Sequence, residues 1–429
     1  MRGRARLLPA PLVHGIGYLA GGEAINLLLS LLSFIVVARL LTTTDYGSWA
    51  TILDGVSILA AIAAFGLPLA AVQAVARPDG DRFVAPALLL RIASNGLIAL
   101  VVLMAIAVSP ERSTFGLAAL FAAPGMIASG LGAACEEILR ARQQFRRAAT
   151  LENLARATQV AAIVVIAAVY KTGGIPRPGA AALVAAWSAA WVIGAAVGIT
   201  WVRPDRPSGV DAFLRSLRQL GRTTPALGVV TLVTLMRFRV EVVLLGVLRT
   251  SAEAGQFAVA TRLYTVALVI PRVVVAVLFP YLVHARLRDS GDLRGHVGRL
   301  FLLVLGCGVL VDGVMVVMAP LAVRVTAGPA YSGSSVPARV LAGFIAPAYL
   351  SSVLTILLVE GRRARAAAAA LLGPAACAYV VELALVGRFG QDVCLAAGGG
   401  ALLVSCAVEY LIAIRSGMLE LPGRIRRAS

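Results

Sequence analysis

The sequence has little charge for its length. Only 14% of its 429 residues are Asp, Glu, Lys or Arg, whereas 59% are hydrophobic, and the mean hydropathy is +0.89. Soluble domains carry about 25% charged residues, which help to cover an apolar core with polar surface. Several stretches here contain almost no charge over about 20 residues or more, which is enough to cross the hydrocarbon layer of a membrane. The composition therefore excludes an ordinary soluble domain and predicts a membrane protein.

The sequence also lacks the motifs of several enzyme classes. It has no Gly-rich loop followed by Lys and Ser or Thr, no zinc signature and no nucleophile elbow. Its five cysteines are odd in number and widely spaced, which fits neither a disulfide framework nor a metal site, and we assign them to packing. We therefore expect a protein that is not an enzyme, binds no cofactor or metal, and does not hydrolyse ATP itself.

Apolar segments that can cross about 30 Å of hydrocarbon as helices recur along the whole chain. We place twelve spans at residues 15–41, 47–76, 83–109, 114–139, 150–170, 179–201, 223–248, 254–284, 297–325, 336–359, 365–387 and 393–415. The predicted fold class is an all-α polytopic membrane protein. Because the number of spans is even, both termini lie on the same side of the membrane.

The basic residues fall mainly in the loops and favour one face of the membrane. Nearly all are Arg, since Lys171 is the only lysine. One face receives 24 of them, and the opposite loops hold seven, namely Arg112, Lys171, Arg177, Arg249, Arg324, Arg339 and Arg388. Loops rich in Arg and Lys remain in the cytoplasm, so both termini are predicted to be cytoplasmic. This distribution accounts for most of the net charge of +18 and argues against nucleic-acid binding.

An internal repeat relates the two halves of the chain. Residues 40–50 align without a gap with residues 248–258. The matched pairs share one constant spacing, and they are Leu40/Leu248, Thr42/Thr250, Asp45/Glu253, Gly47/Gly255, Trp49/Phe257 and Ala50/Ala258. Both copies face the same side of the membrane, which predicts parallel repeats related by an axis along the membrane normal.

The longest and most basic loop, from about Arg203 to Arg222, separates these halves and contains Pro204, Pro207 and Gly209. We place the domain boundary there, so that residues 1–208 form an N-terminal six-helix bundle and residues 209–429 a C-terminal one. No other loop is long enough to hold a folded extramembrane domain.

Short segments of the sequence carry a family resemblance. They are Gly17-Tyr-Leu-Ala20, Ala38-Arg-Leu-Leu41, Asp45-Tyr-Gly47, Gly66-Leu-Pro68, Val242-Val-Leu-Leu-Gly246 and Arg262-Leu-Tyr264. With them the chain resembles, over essentially its whole length, the polysaccharide-transport flippases (O-antigen and oligosaccharide flippases) of the multidrug/oligosaccharidyl-lipid/polysaccharide (MOP) exporter superfamily. It departs from their pattern at Glu241, near which many relatives carry Asp, and at Ala254, where Tyr is usual.

The resemblance implies two six-helix bundles, related by a pseudo-two-fold axis, around a central cavity that opens alternately to each side of the membrane. It implies a lipid-linked oligosaccharide of the undecaprenyl-pyrophosphate type as the substrate. That substrate is carried outward for the synthesis of cell-surface polysaccharide such as lipopolysaccharide.

Arginines lie inside the predicted spans, where a charge is costly unless it faces a cavity or a partner. The candidate substrate-binding cations are Arg239, Arg262, Arg272, Arg237 and Arg39. Arg262 and Arg272 are nearly three turns apart on span eight and form, with Arg239, a ladder of cations that suits a polyanionic headgroup. Arg237 and Glu241 are four residues apart, so they either pair or face the cavity. Arg39 ends span one, as a substrate ligand or as an interface anchor.

Acidic residues within the spans are candidates for coupling to a proton or sodium gradient, or for pairing with Arg. The candidates are Glu241, Glu23, Asp54 and Asp312. Glu382 and Glu409 also lie within spans. Asp54 is close to the outer end of span two, where the sequence allows it to pair with Arg39.

These features predict a secondary, ATP-independent flippase in the bacterial cytoplasmic membrane. Its expected partners are the lipid-linked substrate, membrane lipids, a proton or sodium gradient and polysaccharide-assembly proteins. Three alternatives stay open. A multidrug or cation antiporter of the same superfamily needs an acidic cavity, a membrane-embedded polysaccharide polymerase or ligase needs a large outer loop, and a non-transporting scaffold needs every buried charge to be paired.

Overall fold

The computed structural model describes residues 10–108, 114–203, 238–269, 293–360 and 363–416, together with residues 215, 216, 228, 232 and 236. Every regular element in these residues is helical. The α-helices are α1 (Ala10–Leu40), α2 (Thr43–Ala64), α3 (Leu67–Val75), α4 (Val84–Val108), α5 (Thr114–Ala141), α6 (Phe145–Lys171), α7 (Ala180–Val202), α8 (Arg239–Leu248), α9 (Ser251–Ala267), α10 (Leu293–Thr326), α11 (Ser335–Ala342), α12 (Ile345–Glu360), α13 (Ala364–Phe389) and α14 (Gln391–Arg415). Short 3₁₀ helices cover Gly80–Phe83 and Pro329–Ser334.

Many of these helices are long and apolar enough to cross a membrane. Within the described residues nine pass this test alone, and Pro329–Ala342 with Ile345–Leu358 forms a tenth candidate that is bent by 46°. The predicted class, an all-α polytopic membrane protein, is confirmed. The predicted spans 223–248 and 254–284 lie partly outside the described residues.

The second predicted span, 47–76, is not one continuous helix. Gly66 has a φ of 72° and separates α2 from α3, and Pro68 lies in the first turn of α3. Glycine adopts this left-handed conformation without steric cost, and proline suits the first turn of a helix because the missing N–H has no partner there. The segment Gly66-Leu-Pro68 therefore encodes a break within the span.

The chain divides into two compact units. The first comprises Met1–Leu41 and Gly55–Gly228, and the second comprises Thr42–Asp54 and Val229–Ser429. The first half of α2 therefore belongs to the second unit, although it precedes most of the first unit in the sequence. The boundary predicted between residues 208 and 209 lies outside the described residues.

Small residues hold the helices of the first unit close together. A Cβ atom added to Gly194 on α7 would lie 2.9 Å from the Cβ of Ala155 on α6. A Cβ added to Gly198 would lie 2.9 Å from the Cβ of Cys135 on α5. Helices in a membrane associate through such contacts, because lipid offers no hydrophobic driving force between them. Helices α5, α6 and α7 are packed in this way.

In the second unit, side chains satisfy the backbone groups at helix ends. The Tyr349 hydroxyl on α12 donates to the Ala267 carbonyl at the end of α9, at 2.6 Å. Asp312 on α10 accepts from the Ala346 N–H in the first turn of α12, at 3.2 Å. Such caps matter in a membrane, because no water is present to satisfy the open backbone groups.

Large apolar side chains cover the outer surfaces of the helices in both units. Leu97 and Val165 are exposed in the first unit, and Leu310 and Val317 are exposed in the second, where Val317 reaches 72%. A soluble protein rarely leaves extended apolar surface open to water. The surface is suited to contact with lipid.

Candidate functional site

Asp54, on α2, is the centre of a charged cluster within the second unit. Its Oδ1 atom accepts hydrogen bonds from Arg239 Nη1 and Arg262 Nη2, each at 2.9 Å. The side chain of Asp54 is only 3% exposed, whereas those of Arg239 and Arg262 are 34% and 28% exposed. These three residues are called the Asp54 cluster below.

Asp54 and Arg262 each lie about three turns from the start of their helices, whereas Arg239 is the first residue of α8. Asp54 follows the first residue of α2 by eleven positions, and Arg262 follows the first residue of α9 by eleven. At 1.5 Å per residue each lies roughly 16 Å along its helix. In a helix that crosses a hydrocarbon layer about 30 Å thick, this distance from one end corresponds to the middle of the layer, where ionisable residues mark functional sites.

Matching caps begin the two helices that carry the cluster, α2 and α9. The Thr42 hydroxyl accepts from the Asp45 N–H at 3.0 Å and donates to Asp45 Oδ2 at 2.7 Å. The Thr250 hydroxyl accepts from the Glu253 N–H at 3.2 Å. Threonine is a favoured N-cap, and an acidic residue three positions later suits the positive end of the helix. Two matched pairs of the sequence repeat are therefore helix caps.

The same two helices touch backbone to backbone at the matched glycines. A Cβ atom on Gly47 would lie 1.6 Å from the Ser251 carbonyl oxygen. A Cβ on Gly255 would lie 2.4 Å from the Thr43 carbonyl oxygen. The hydroxyls of Ser48 and Ser251 are 3.2 Å apart at this contact. Only glycine permits so close an approach.

Asp54 and Arg262 occupy equivalent positions of the repeat. They are separated by the same number of residues as Gly47 and Gly255. Because the helices meet at equivalent glycines, equivalent positions two turns further along also lie opposite each other. Because Asp54 and Arg262 carry opposite charges, they attract each other, whereas two like charges at these positions would repel. Extending the sequence alignment four residues beyond Ala50 aligns Asp54 with Arg262 but does not show that the two side chains meet.

Arg239 reaches the cluster from the first turn of the short helix α8. The residue before it, Phe238, has a left-handed backbone with a φ of 61°, which is uncommon for a residue other than glycine. Its ring packs edge-on against that of Tyr264, with the centroids 5.0 Å apart. On the other side, the fully buried Tyr46 lies beside the Arg262 guanidinium. The Phe238–Tyr264 contact joins the start of α8, where Arg239 lies, to α9, which carries Arg262.

The Asp54 cluster carries a net charge of +1, because one carboxylate faces two guanidinium groups. Arginine stays protonated in proteins, so this charge persists. The partly exposed guanidinium groups have the planar geometry that binds phosphate through two parallel hydrogen bonds. The cluster is therefore suited to bind an anionic group.

Of the five predicted cations, the structure brings two together. Arg239 and Arg262 share Asp54 as their partner. Arg39 is exposed on α1, in the first unit. Arg237 and Arg272 lie outside the described residues. The ladder formed by Arg262 and Arg272 therefore stays a prediction.

The four predicted acids have different surroundings. Asp54 pairs with Arg239 and Arg262, a pairing that differs from the Arg39 contact that the sequence allows. Asp312 caps α12 through a backbone contact. The other two are Glu23, which is exposed on α1, and Glu241, which is buried on α8.

A second group of charges lies in the first unit and is paired internally. Arg91 Nη2 contacts Glu137 Oε1 at 2.8 Å, which joins α4 to α5. Arg140 contacts both Glu136 and, at 3.5 Å, Glu152 on α6. These pairs connect three helices and are suited to a structural role. Across the described residues, no three His, Cys, Asp or Glu side chains converge as a metal site.

The fold of the chain resembles the folds of solved membrane transporters. The chain is similar to a multidrug resistance MATE family transporter of the MOP superfamily in an inward-facing conformation. The identity is 15%, the coverage is 92% of this chain and 96% of the other, and the TM-score is 0.71. It is also similar to a MOP superfamily transporter from Pyrococcus furiosus, described as having a binding pocket of reverse polarity that suggests a different function. Here the identity is 14%, the coverage 95% of each chain and the TM-score 0.67. These likenesses establish the fold.

The sequence itself identifies the family. Residues 12–286 match the polysaccharide biosynthesis protein family. This match covers more than half of the chain, and the chain belongs to that family. The predicted resemblance is confirmed. No curated protein matches the sequence.

Proposed function

We propose that this chain is a flippase that moves a lipid-linked oligosaccharide, of the undecaprenyl-pyrophosphate type, across the bacterial cytoplasmic membrane. Membership of the polysaccharide biosynthesis protein family supports a role in cell-surface polysaccharide synthesis. The MOP transporter fold supports alternating access, in which two halves move about a fixed site. The distribution of Arg supports cytoplasmic termini. The proposed source of energy is a proton or sodium gradient across the membrane, and this chain does not hydrolyse ATP in the proposed mechanism.

The single observation that carries this proposal is the net positive charge of the Asp54 cluster. A pyrophosphate linkage brings more than one negative charge to mid-membrane depth, where it needs cations as partners. Arg239 and Arg262 supply them, and each keeps about a third of its side chain accessible. In the proposed complex the glycan occupies a polar lumen, and the lipid tails stay in the bilayer. Polysaccharide-assembly proteins receive the product.

Asp54 has a specific role in this mechanism. Without substrate, its carboxylate compensates both guanidinium groups, so that neither is left without a counter-charge at membrane depth. A bound phosphate competes with Asp54 for the same donors. Substrate binding therefore weakens the contact between α2 and the helices α8 and α9, which links binding to a conformational change.

The polarity of the site separates this proposal from drug export. The Pyrococcus furiosus relative is described as having a pocket of reverse polarity that suggests a different function, which supports the idea that pocket charge selects the substrate within this fold. An exporter of organic cations requires a net negative site. The Asp54 cluster has the opposite sign.

Reconstitution of the purified full-length chain tests the proposal. Liposomes would carry a fluorescent polyprenyl-pyrophosphate-linked sugar, and its transbilayer movement would be followed by quenching from one side. We expect movement with the wild type and a loss of at least about tenfold in the double variant R239A/R262A. Each charge-assisted hydrogen bond contributes about 1.5–3 kcal/mol, and 1.4 kcal/mol corresponds to tenfold.

Arg249 provides the matched control. It lies in the same unit and forms an ion pair with Glu253 at 3.2 Å. The R249A variant is expected to keep its transport rate. Equal rates for wild type and R239A/R262A would overturn the proposal, and so would export of a cationic dye with no movement of the lipid-linked sugar.

A further inference from the structure

A strongly basic surface covers one end of the first unit. Residues 76–83, 142–147 and 203 include six arginines but only two acids, Asp79 and Asp81. The six arginines are called the basic surface below, and they are Arg77, Arg82, Arg142, Arg146, Arg147 and Arg203. All of them are exposed except Arg142, which is partly buried. Each lies within two residues of a helix end, so the basic surface is at the level of the lipid headgroups.

Arg142 holds the segments of this surface together. Its Nε and Nη2 atoms donate to Asp81 Oδ1, at 3.2 and 2.6 Å, and its Nη1 atom donates to the Val202 carbonyl oxygen, at 2.6 Å. These contacts join the segment before α4, the end of α5 and the end of α7. Arg82 and Arg203 directly follow Asp81 and Val202 in the sequence, so the structure brings both close to Arg142.

Acidic side chains compensate only part of this charge. Asp81 pairs with Arg142 at 2.6 Å, and Asp79 pairs with Arg82 at 2.8 Å. Among the residues that the structure describes, no acid forms an ion pair with the other four arginines of the basic surface. The one side-chain contact that a member of these four makes is to a neutral amide, Gln144, at 3.1 Å from Arg147 Nη1. The basic surface therefore presents a net positive charge to its surroundings.

Three of these arginines occupy positions that the local structure disfavours. Arg146 and Arg147 lie in the first turn of α6, which contains no acidic residue, although the positive end of a helix dipole repels cations. Arg203 follows the last residue of α7 with a φ of 45°, in the left-handed conformation that favours glycine. Arginine at these positions lowers the stability of the fold, and an anionic partner outside the chain would offset that loss.

We propose that the basic surface binds the anionic headgroups of phospholipids in the leaflet that it faces. The predicted topology places this end of the first unit on the cytoplasmic side, where anionic lipids attract arginines close to the membrane. The arginines are spread over three segments of the chain, which fits several headgroups of a lipid surface better than one phosphate ion. Bound headgroups stabilise the first unit because they neutralise its arginines. These lipids are not the transported substrate, so the inference does not rest on the proposed function.

Thermal unfolding of the purified full-length protein in a neutral detergent tests the proposal without any transport substrate. The protein would be titrated with phosphatidylglycerol, which is anionic, and with phosphatidylcholine, which is zwitterionic and would carry the same acyl chains. We expect only phosphatidylglycerol to raise the Tm of the wild type, and high salt to weaken this effect by screening. In R146A/R147A the lipid concentration that gives half of the effect should rise at least about fivefold.

The matched control is the variant R363A/R365A. Arg363 and Arg365 are exposed at the start of α13 in the second unit, so this variant loses the same number of charges from the same predicted side of the membrane. Its response to phosphatidylglycerol should equal that of the wild type. Equal weakening in both double variants would overturn the proposal in favour of diffuse positive charge, and equal effects of the two lipids would overturn it as well. Glycerol phosphate that acts at the same concentration as the lipid would overturn it in favour of a free phosphate.

Arg203 allows a second test, which separates lipid binding from the stability of the fold. Glycine fits the left-handed backbone at this position better than arginine does, so R203G should have a higher Tm than the wild type in the absence of lipid. Phosphatidylglycerol should then raise the Tm of R203G by less than it raises the Tm of the wild type. A rise as large as that of the wild type in both R203G and R146A/R147A would overturn the proposal.

Discussion

At the scale of single residues, Asp54 determines the state of the cluster. One carboxylate, almost completely buried, serves two guanidinium groups that keep part of their surface accessible. Removing the carboxylate leaves two positive charges close together at membrane depth. Removing one guanidinium leaves a neutral pair. The two kinds of substitution should therefore have different consequences.

The variant D54N should lower the stability of the purified full-length protein. We expect a loss of about 1–3 kcal/mol, less than for a fully buried pair, because both arginines retain access to solvent. Thermal unfolding in detergent would measure it as a lower Tm. The control is D79N, whose partner Arg82 and own side chain are both exposed, and whose effect should stay within about 0.5 kcal/mol. Equal shifts for D54N and D79N would contradict the role assigned to Asp54.

Repulsion between the two guanidinium groups in D54N also predicts partial rescue by a second substitution. Replacing Arg239 by Gln in the D54N background removes one of the two unbalanced charges, so that a single positive charge remains. The double variant D54N/R239Q should recover part of the lost Tm. An R249Q substitution in the same background should not, because Arg249 pairs with Glu253. A Tm for D54N/R239Q below that of D54N would show that repulsion is not the cause.

Part of the site could be predicted from the sequence. The cost of charge in lipid singled out Arg239, Arg262 and Asp54 as residues of interest. Their mutual pairing could not be predicted from helix spacing, because the three residues lie on three different helices. Nothing in the sequence indicated that Tyr46 and Phe238 belong to the site, since buried aromatic residues are common in any apolar span.

At the scale of elements, the contact between α2 and α9 organises the second unit. The two helices begin with matching caps, meet at Gly47 and Gly255, and carry Asp54 and Arg262 two turns further on. The sequence shows the repeat only as a similarity between two segments, and in the structure these two segments contact each other directly. The sequence predicts the symmetry axis but does not show that the copies meet there.

The variant G47A should disrupt this contact. Its new methyl group would lie 1.6 Å from the Ser251 carbonyl oxygen, so the helices must separate. We expect a loss of at least about 1–3 kcal/mol in thermal unfolding, typical of overpacking. The control is G96A on α4, where a Cβ would meet nothing within 4 Å, and where alanine should stabilise the helix by about 0.5–1 kcal/mol. A G47A protein as stable as G96A would contradict the close contact.

Two breaks within spans illustrate what hydropathy alone does not resolve. A run of apolar residues shows that a segment is long enough to cross the membrane, but not that it forms one continuous helix. Residues 47–76 and 336–359 are therefore each predicted as one helix. The structure breaks the first at Gly66 and bends the second by 46°. The Gly66-Leu-Pro68 segment carries the chemistry of a break, and the bend between α11 and α12 likewise has a glycine, Gly343, before α12 and a proline, Pro347, in the first turn of that helix. The Gly343 backbone is right-handed, with a φ of −61°.

At the scale of the whole molecule, the chain is a multi-pass membrane protein with the MOP transporter fold. Composition and hydropathy were sufficient to predict the helical multi-pass class, because the requirement to satisfy every backbone group in lipid leaves few architectures. The family resemblance was needed to predict the MOP fold. The orientation in the membrane rests on the Arg distribution and stays a prediction. Lys171 offers a direct test of it.

Lys171 is the only lysine, and it ends α6 at an exposed position. The predicted topology places it outside the cytoplasm and the N-terminal amine inside. A membrane-impermeant amine reagent should therefore label the wild type on intact spheroplasts but not the K171R variant. Permeabilised spheroplasts serve as the control for reactivity. Labelling of Lys171 only after permeabilisation would show that the topology is the reverse of the predicted one.

The central claim is that Arg239 and Arg262 recognise the phosphates of a lipid carrier, and ligand-induced stabilisation tests it most directly. The Tm of the purified full-length protein would be measured with a short polyprenyl pyrophosphate and with the matching polyprenol, which lacks phosphate. A ligand at 100 times its Kd stabilises by about 2.7 kcal/mol. We expect the pyrophosphate to raise the Tm of the wild type and of R249A but not that of R239A/R262A, and we expect the polyprenol to leave the Tm unchanged. An equal rise with both lipids, or a full rise in R239A/R262A, would contradict it.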